Sequence, residues 1–179
     1  MLLNMRTLRE SLLDDDLIEK TDKIIKDDIK AFLKENFKGA FKISRKPNVD
    51  GKFEVSSTGN IQVKNQKITS LTNGMFVWAT IDGSFIVRHC NYLKSLKGTP
   101  KVVKGIFTCS FCESLTSLEG APEKVGGNFY CSYCDSLTSL EGAPKEVGGS
   151  FECTDCKTKF TEEDVRKVSN VGGNILCEI

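Results

Sequence analysis

The sequence predicts an α+β chain: a short β-solenoid of 22-residue coils with a helical cap at its N-terminus and a short capping helix at its C-terminus. Three observations predict it. A motif recurs at a fixed period: Phe85, Phe107, Phe129 and Phe151 open successive units, and Leu93, Leu115 and Leu137, then Pro100, Pro122 and Pro144, then Val103, Val125 and Val147 follow in step. All eight cysteines fall into two columns of that frame. Cys109, Cys131, Cys153 and Cys177 share one position, taken by Val87 in the first clear unit; Cys90, Cys112, Cys134 and Cys156 share the other. The first forty residues lack the repeat and carry a helical pattern instead, so the chain divides into a cap (1–40) and a hairpin plus solenoid (41–179).

The cap opens on Thr7-x-x-Glu10, a capping-box spacing followed by Leu8, Leu12 and Leu13. Asp16-x-x-Glu19 repeats the signal. Leu17, Ile18, Ile24, Ile25, Ile29, Phe32 and Leu33 then mark one face of a helix running to about Asn36. That face is expected to cover the open end of the solenoid, since a stack of coils needs a terminal cap. The competing reading is a helix that lies in a partner's groove.

Next, FKIS and KFEVS flank Pro47-Asn48-Val49-Asp50-Gly51, a strong turn signal, which predicts a hairpin. GNIQVKNQKITSL, from Gly59 to Leu71, is a weaker copy of the repeat with Val63 at a cysteine position, and Met75 to Thr80 alternates as a strand. In the full unit, F-x-C places Phe and Cys two apart, so both face the interior of a strand. The Leu and Val positions continue the apolar set, while Gly-Ala-Pro and Gly-Gly supply turns. One coil cannot stand alone, because about six buried side chains at roughly 1.5–3 kcal/mol each do not offset about 1–2 kcal/mol of backbone entropy per residue. Coils must therefore stack. At the far end FTEEDVRKVSN replaces LTSLEGAP, and Thr161 before Glu162, Glu163 and Asp164 predicts a closing helix.

Composition narrows the function classes. Lys and Arg number 25 against 24 Asp and Glu, so no broad positive field draws nucleic acid or an anionic membrane. No run approaches the roughly 18 apolar residues of a membrane span, and the start MLLNMRTLRE lacks the apolar stretch of a secretory signal. A cytoplasmic protein is expected.

The C-x-x-C pairs at Cys109/Cys112, Cys131/Cys134 and Cys153/Cys156 admit two chemistries. Zinc would use such pairs, but they recur at every coil, enclose Ser-Phe, Ser-Tyr and Thr-Asp, and give way at the matching position of the first unit to Val87, which cannot bind metal. A buried, reduced thiol ladder is the preferred reading. Disulfides within a column would be strained, since in-register side chains sit about 4.8 Å apart against the ~3.8 Å between Cβ atoms of a bridge. No cofactor is expected. Catalysis finds no constellation: His89 is the only histidine and its neighbour Cys90 points to the opposite side of a strand, so the chain reads as a non-enzyme.

What remains is the outward side. Ile86, Thr108, Tyr130 and Glu152 lie between Phe and the following column position; Arg88, Ser110, Ser132 and Thr154, then His89, Phe111, Tyr133 and Asp155, lie between the columns. Exposed aromatics on a rigid scaffold serve as interface anchors. The candidate partner-binding residues are Arg88, His89, Phe111, Tyr130, Tyr133, Glu152 and Asp155, and the expected function is a non-enzymatic protein-binding module with an unknown protein partner. Two alternatives stand beside it: a zinc-binding module built on the C-x-x-C pairs, and a structural component of a larger assembly.

The F-x-C-x-x-C-x-x-L-x-x-L pattern resembles the leucine-rich repeat core, with Phe129 and Cys131 in the strand leucine positions and Cys134 in the Asn/Cys position. One extra residue separates Cys134 from Leu137. LRESLLDDD, KPNVDGKFEV, ITSLTNG and LTSLEGAP together resemble a group of repeat proteins encoded by phages and mobile elements of gut bacteria. That likeness implies a host-directed role in the host cytoplasm, such as blocking a defence protein.

Overall fold

Stacking of the repeat builds the whole architecture. The computed structural model describes residues 15–177, so the expected capping box at Thr7 and the turn carrying Leu8, Leu12 and Leu13 lie outside the described residues. Helix α1 (Asp15–Asn36) leads into β1 (Phe37–Lys38), and a hairpin of β2 (Lys42–Ile43) and β3 (Phe53–Ser57) follows. From there the chain alternates between two sheets. The first takes β1, β4 (Ile61–Val63), β6 (Phe85–Ile86), β8 (Phe107–Thr108), β10 (Phe129–Tyr130), β12 (Phe151–Cys153) and β14 (Ile175–Cys177) in spatial order. The second takes β2, β3, β5 (Phe76–Ile81), β7 (Val102–Val103), β9 (Lys124–Val125), β11 (Glu146–Val147) and β13 (Asn170–Val171), with α2 (Glu162–Val168) inserted before β13. Every pairing is parallel except the β1–β4 and β2–β3 contacts that open the sheets. Each coil thus gives a short strand to two sheets, whereas a leucine-rich repeat gives one strand and a helix or 3₁₀ turn. The likeness extends to stacked parallel coils and stops at strand usage.

Register follows the period. Phe85 pairs with Phe107, Phe107 with Phe129 and Phe129 with Phe151. Their rings run up the interior: Phe85 stacks on Phe107 at 6.1 Å and Phe107 on Phe129 at 5.6 Å, both tilted by only 6°, and Phe151 follows at 4.8 Å. Leu, Val and Cys columns close around them in a single hydrophobic cluster from Ile29 to Val165. The coil-to-coil bonding outruns the short strands, for Cys131 N–H donates to Glu152 O at 2.9 Å and Tyr133 N–H to Thr154 O at 3.1 Å.

A repeat also stacks its polar positions, and like charges in register would repel. At several positions the sequence sets opposite signs one period apart: Lys97 meets Glu119 at 2.9 Å, Lys101 meets Glu123 at 3.5 Å and Lys104 meets Asp82 at 2.7 Å. Exposed pairs contribute about 0–1 kcal/mol each, so their main role is to avoid repulsion in the native register.

Helix α1 covers the first coils as expected. Ile29 and Leu33 are buried, Phe32 packs 6.0 Å from both Phe37 and Phe76, and Asn36 accepts from Asn65 Nδ2 at 2.7 Å while its own Nδ2 donates to Phe32 O at 2.9 Å. Leu17 and Ile24 correct the sequence reading, being 45% and 63% exposed. At 3.6 residues per turn they lie roughly 120° and 140° around the helix from Ile29, off the packed stripe. The opening hairpin forms where Pro47 to Gly51 predict it, with Asn48 Oδ1 accepting from Asp50 and Lys52 N–H. At the other end Thr161 and Asp164 form the capping box of α2, which buries Val165.

The two glycine motifs do different work. Gly142, in Gly-Ala-Pro, has φ +82, the left-handed region, and an added Cβ would come within 2.5 Å of Glu119 Cα in the coil below. In the Gly-Gly motif the demand is proximity rather than φ: a Cβ at Gly148 would collide with the Gly126 carbonyl oxygen. Gly142→Ala is therefore expected to cost about 2–4 kcal/mol, from left-handed strain and overpacking together. Gly59 has no atom within 4 Å of such a Cβ, so Gly59→Ala should leave stability unchanged or raise it by about 0.5 kcal/mol. Urea midpoints of the two variants check the contrast.

Candidate functional site

The two cysteines of each C-x-x-C stand three residues apart, and on a straight strand that odd spacing would turn them to opposite faces. Both are nevertheless inside. The chain manages this with one kink per coil: His89, Phe111, Tyr133 and Asp155 hold φ of 57°, 58°, 58° and 55°. A left-handed residue there swings the backbone so that Cys90, Cys112, Cys134 and Cys156 return to the interior. Non-glycine residues enter this region at about 1–2 kcal/mol, and bulky aromatics are rare in it. They are also the only non-glycine residues with positive φ among the described residues.

The kink throws its own side chain outward. His89 stacks on Phe111 at 4.7 Å, and Phe111 on Tyr133 at 4.5 Å with the rings 4° from parallel. Phe111 and Tyr133 remain 37% and 45% exposed. Parallel rings at the coil spacing make a flat aromatic ribbon, with the Asp155 carboxylate at the same position one coil further. This ribbon runs along a corner of the solenoid, beyond the ends of β6, β8, β10 and β12, rather than across a sheet face.

The other candidates sit beside it. Arg88 is exposed and precedes His89. Tyr130, half-buried on β10, pairs in register with Glu152 on β12, and its hydroxyl accepts from Asn128 Nδ2 at 2.6 Å. Glu152 Oε1 accepts from the Ser132 hydroxyl at 3.3 Å. The neighbouring positions are less open than a simple strand alternation implies. Thr108, Ser110 and Ser132 are buried. Thr108 lies in register between the larger Ile86 and Tyr130, which shade it at strand spacing, and its hydroxyl bonds the Ser110 hydroxyl at 3.1 Å. Ser132 likewise takes Thr154 N–H and Oγ1, each at 3.2 Å. The open ribbon is therefore the left-handed column with Arg88 beside it.

Beneath the ribbon lie the thiols. Seven of the cysteines are buried and Cys177 is half-buried, all with free thiols. They donate to carbonyls instead of solvent: Cys134 to Cys109 O at 3.2 Å, Cys156 to Cys131 O at 3.4 Å and Cys131 to Glu152 O at 3.5 Å. Burial, reinforced by neighbouring thiols, holds the Cys109 thiol well above the ordinary range; burial does the same at Cys131, and it pushes Cys134 up to about 12. Such thiols are poor nucleophiles and poor metal ligands. Among the described residues no three His, Cys, Asp or Glu side chains converge in a way that could hold a metal ion.

Sequence reasoning selected the ribbon residues but missed why they are special. Their types do not announce a positive φ, as Gly or Asn would. The one available signal was the three-residue step between two inward cysteines. No family model, curated protein or solved structure matches this chain.

Proposed function

We propose that this protein is a non-enzymatic protein-binding module whose contact surface is the left-handed ribbon of His89, Phe111, Tyr133 and Asp155, flanked by Arg88, Tyr130 and Glu152. One observation carries the reading: in four successive coils a non-glycine residue is held near φ +57 with its side chain outward, and the aromatic ones are stacked and exposed. Backbone strain repeated at a surface position points to a role for the side chain there, because Asn or Gly would make the same kink at lower cost. Rigid aromatics bury large area on binding and lose little entropy, which suits anchors for a protein surface. In its finer form the proposal is a phage-encoded, host-directed module acting in the host cytoplasm, supported by the resemblance carried by LRESLLDDD, KPNVDGKFEV and LTSLEGAP.

Phe111→Asn combined with Tyr133→Asn tests the reading. Asn accepts the left-handed conformation, so the lost ring stacking and the relieved strain offset each other and the melting midpoint should stay within about 1 kcal/mol of the parent. Capture of partner from bacterial lysate, read by mass spectrometry, should disappear. A variant that melts alike and captures the same proteins in the same amount overturns the proposal.

A further inference from the structure

At the N-terminal end, far in sequence from the ribbon, α1 and the opening hairpin enclose a groove of about 740 Å³. Its rim carries six cations, Lys26, Lys30, Lys34, Lys38, Arg45 and Lys64, and none of its lining residues is acidic. Its apolar lining is Leu33, Phe37, Phe41 and Ile43. In a chain of net charge +1 this is a marked local concentration of positive charge. Only one of the six is neutralised in a described ion pair, Lys30 with Asp27 at 2.8 Å. Lys26 donates to Arg45 O and covers the Phe53 ring at 4.9 Å, tying the helix to the hairpin and leaving its charge uncancelled.

We infer that this groove is a second binding site, for an extended acidic peptide segment of a partner protein. Three features select that ligand. The cations are spread along the groove, with Lys26, Lys30 and Lys34 spanning about 12 Å of helix, so they match charges distributed along a chain rather than one headgroup. Phe41, Ile43 and Arg45 alternate along the hairpin, which suits a ligand that alternates apolar and charged side chains. β2 is the last strand of its sheet, and its outer edge pairs with no strand among the described residues, so it can take an added strand through main-chain bonds. A nucleic-acid strand fits less well. It has no main-chain N–H and C=O groups to pair with the β2 edge, and no aliphatic side chains to set against Leu33 and Ile43.

The probe is a fluorescein-labelled peptide of sequence Glu-Leu-Glu-Phe-Asp-Leu-Glu, titrated with full-length protein and read by anisotropy. Saturable binding should weaken about tenfold in Lys34→Glu/Lys38→Glu, two exposed changes that leave the far-ultraviolet spectrum intact. It should weaken with added salt and persist in Phe111→Asn/Tyr133→Asn. The single tryptophan, Trp78, sits 6.1 Å from Phe41 and 5.2 Å from Phe37, so its emission should shift on binding. Methylating alternate peptide amides should weaken binding by a similar factor, and an affinity indifferent to methylation overturns the strand pairing. Absence of saturable binding, an unchanged affinity in the charge-reversed protein, or tighter binding of oligothymidylate or phosphatidylglycerol vesicles overturns the site as proposed.

Discussion

Phe129→Ala is expected to remove about 4 kcal/mol of folding stability. Phe129 is fully buried and lies between Phe107 at 5.6 Å and Phe151 at 4.8 Å, so truncation leaves a void that touches two coil interfaces at once. The neighbouring backbones cannot close the gap, because the inter-coil hydrogen bonds on either side, such as Phe129 N–H to Ser150 O at 2.8 Å, fix the spacing. In a stack whose stability is a sum of nearest-neighbour terms, losing one interface also uncouples what lies on its two sides. Trp78 lies in the N-terminal cluster with Phe37, Phe76 and Phe85, and it therefore reports that end alone. In the parent, tryptophan emission and far-ultraviolet ellipticity should follow one urea transition. In the variant the ellipticity should fall first as the C-terminal coils unfold, with the emission change following at higher urea. A single coincident transition displaced by less than about 1 kcal/mol, the effect of an ordinary substitution, would show that the ring column is not what couples the coils.

How much of this was written in the residues depends on whether a feature repeats. A buried position that recurs in every coil must be satisfied each time by the same side-chain size, so Phe107, Phe129 and Phe151, with the Leu and Val columns, disclose the stacking without further help. Polar positions are less constrained and so less readable. Thr108 was expected outside and is buried, because its burial depends on the size of Ile86 and Tyr130 beside it rather than on its own direction from the strand. The kink at Tyr133 was hidden for another reason. Local residue types favour an ordinary backbone there, and the demand comes from Cys134 having to turn inward, a tertiary requirement that overrides local preference. The basic groove could not be found by any local scan, since Lys26 to Lys38, Arg45 and Lys64 meet only after the hairpin folds against the helix. Ile24 is the opposite case: an apolar residue near the helical period stands in solvent, because its angular position takes it off the packed face.

The ribbon and the thiols are two sides of one backbone device. The left-handed residue that presents Phe111 or Tyr133 outward is the same one that returns Cys112 or Cys134 to the interior, so the surface geometry holds only while the sulfur columns stay packed. Val87 fills the first of these positions as completely as the cysteines that follow it, being fully buried in the same column. The column therefore requires a small apolar body and not sulfur as such. What sulfur adds is a titratable proton, and with it a sensitivity that valine lacks.

That sensitivity sets an alkaline limit on the fold. Burial holds the Cys134 thiol protonated up to about pH 12 against an ordinary value of 9.0, and it raises Cys109 and Cys131 in the same direction. A folded-state pKa above the unfolded one means that the native state keeps its proton more tightly, so the contribution is fully present below pH 9 and drains away as pH rises from there toward 12. For Cys134 alone the window corresponds to on the order of 4 kcal/mol, a large share of a typical domain's roughly 5–15 kcal/mol. The midpoint of urea unfolding should thus be level from pH 7 to about 9 and fall steeply above it. Thiolate from Cys109, Cys131 and Cys134 should appear together with unfolding, not before it, whereas Cys90 and Cys153, whose anions a neighbouring thiol stabilises by a hydrogen bond, are shifted down. Replacing Cys109 and Cys131 by Val, the residue already accepted at position 87, together with Cys134→Ala, should flatten the alkaline limb while preserving the neutral-pH far-ultraviolet spectrum. A thiolate signal near pH 9 in protein that is still folded, present in the parent and lost in the substituted chain, or an alkaline limb unchanged in that chain, would mean that Cys109, Cys131 and Cys134 are reached by solvent and do not set this limit.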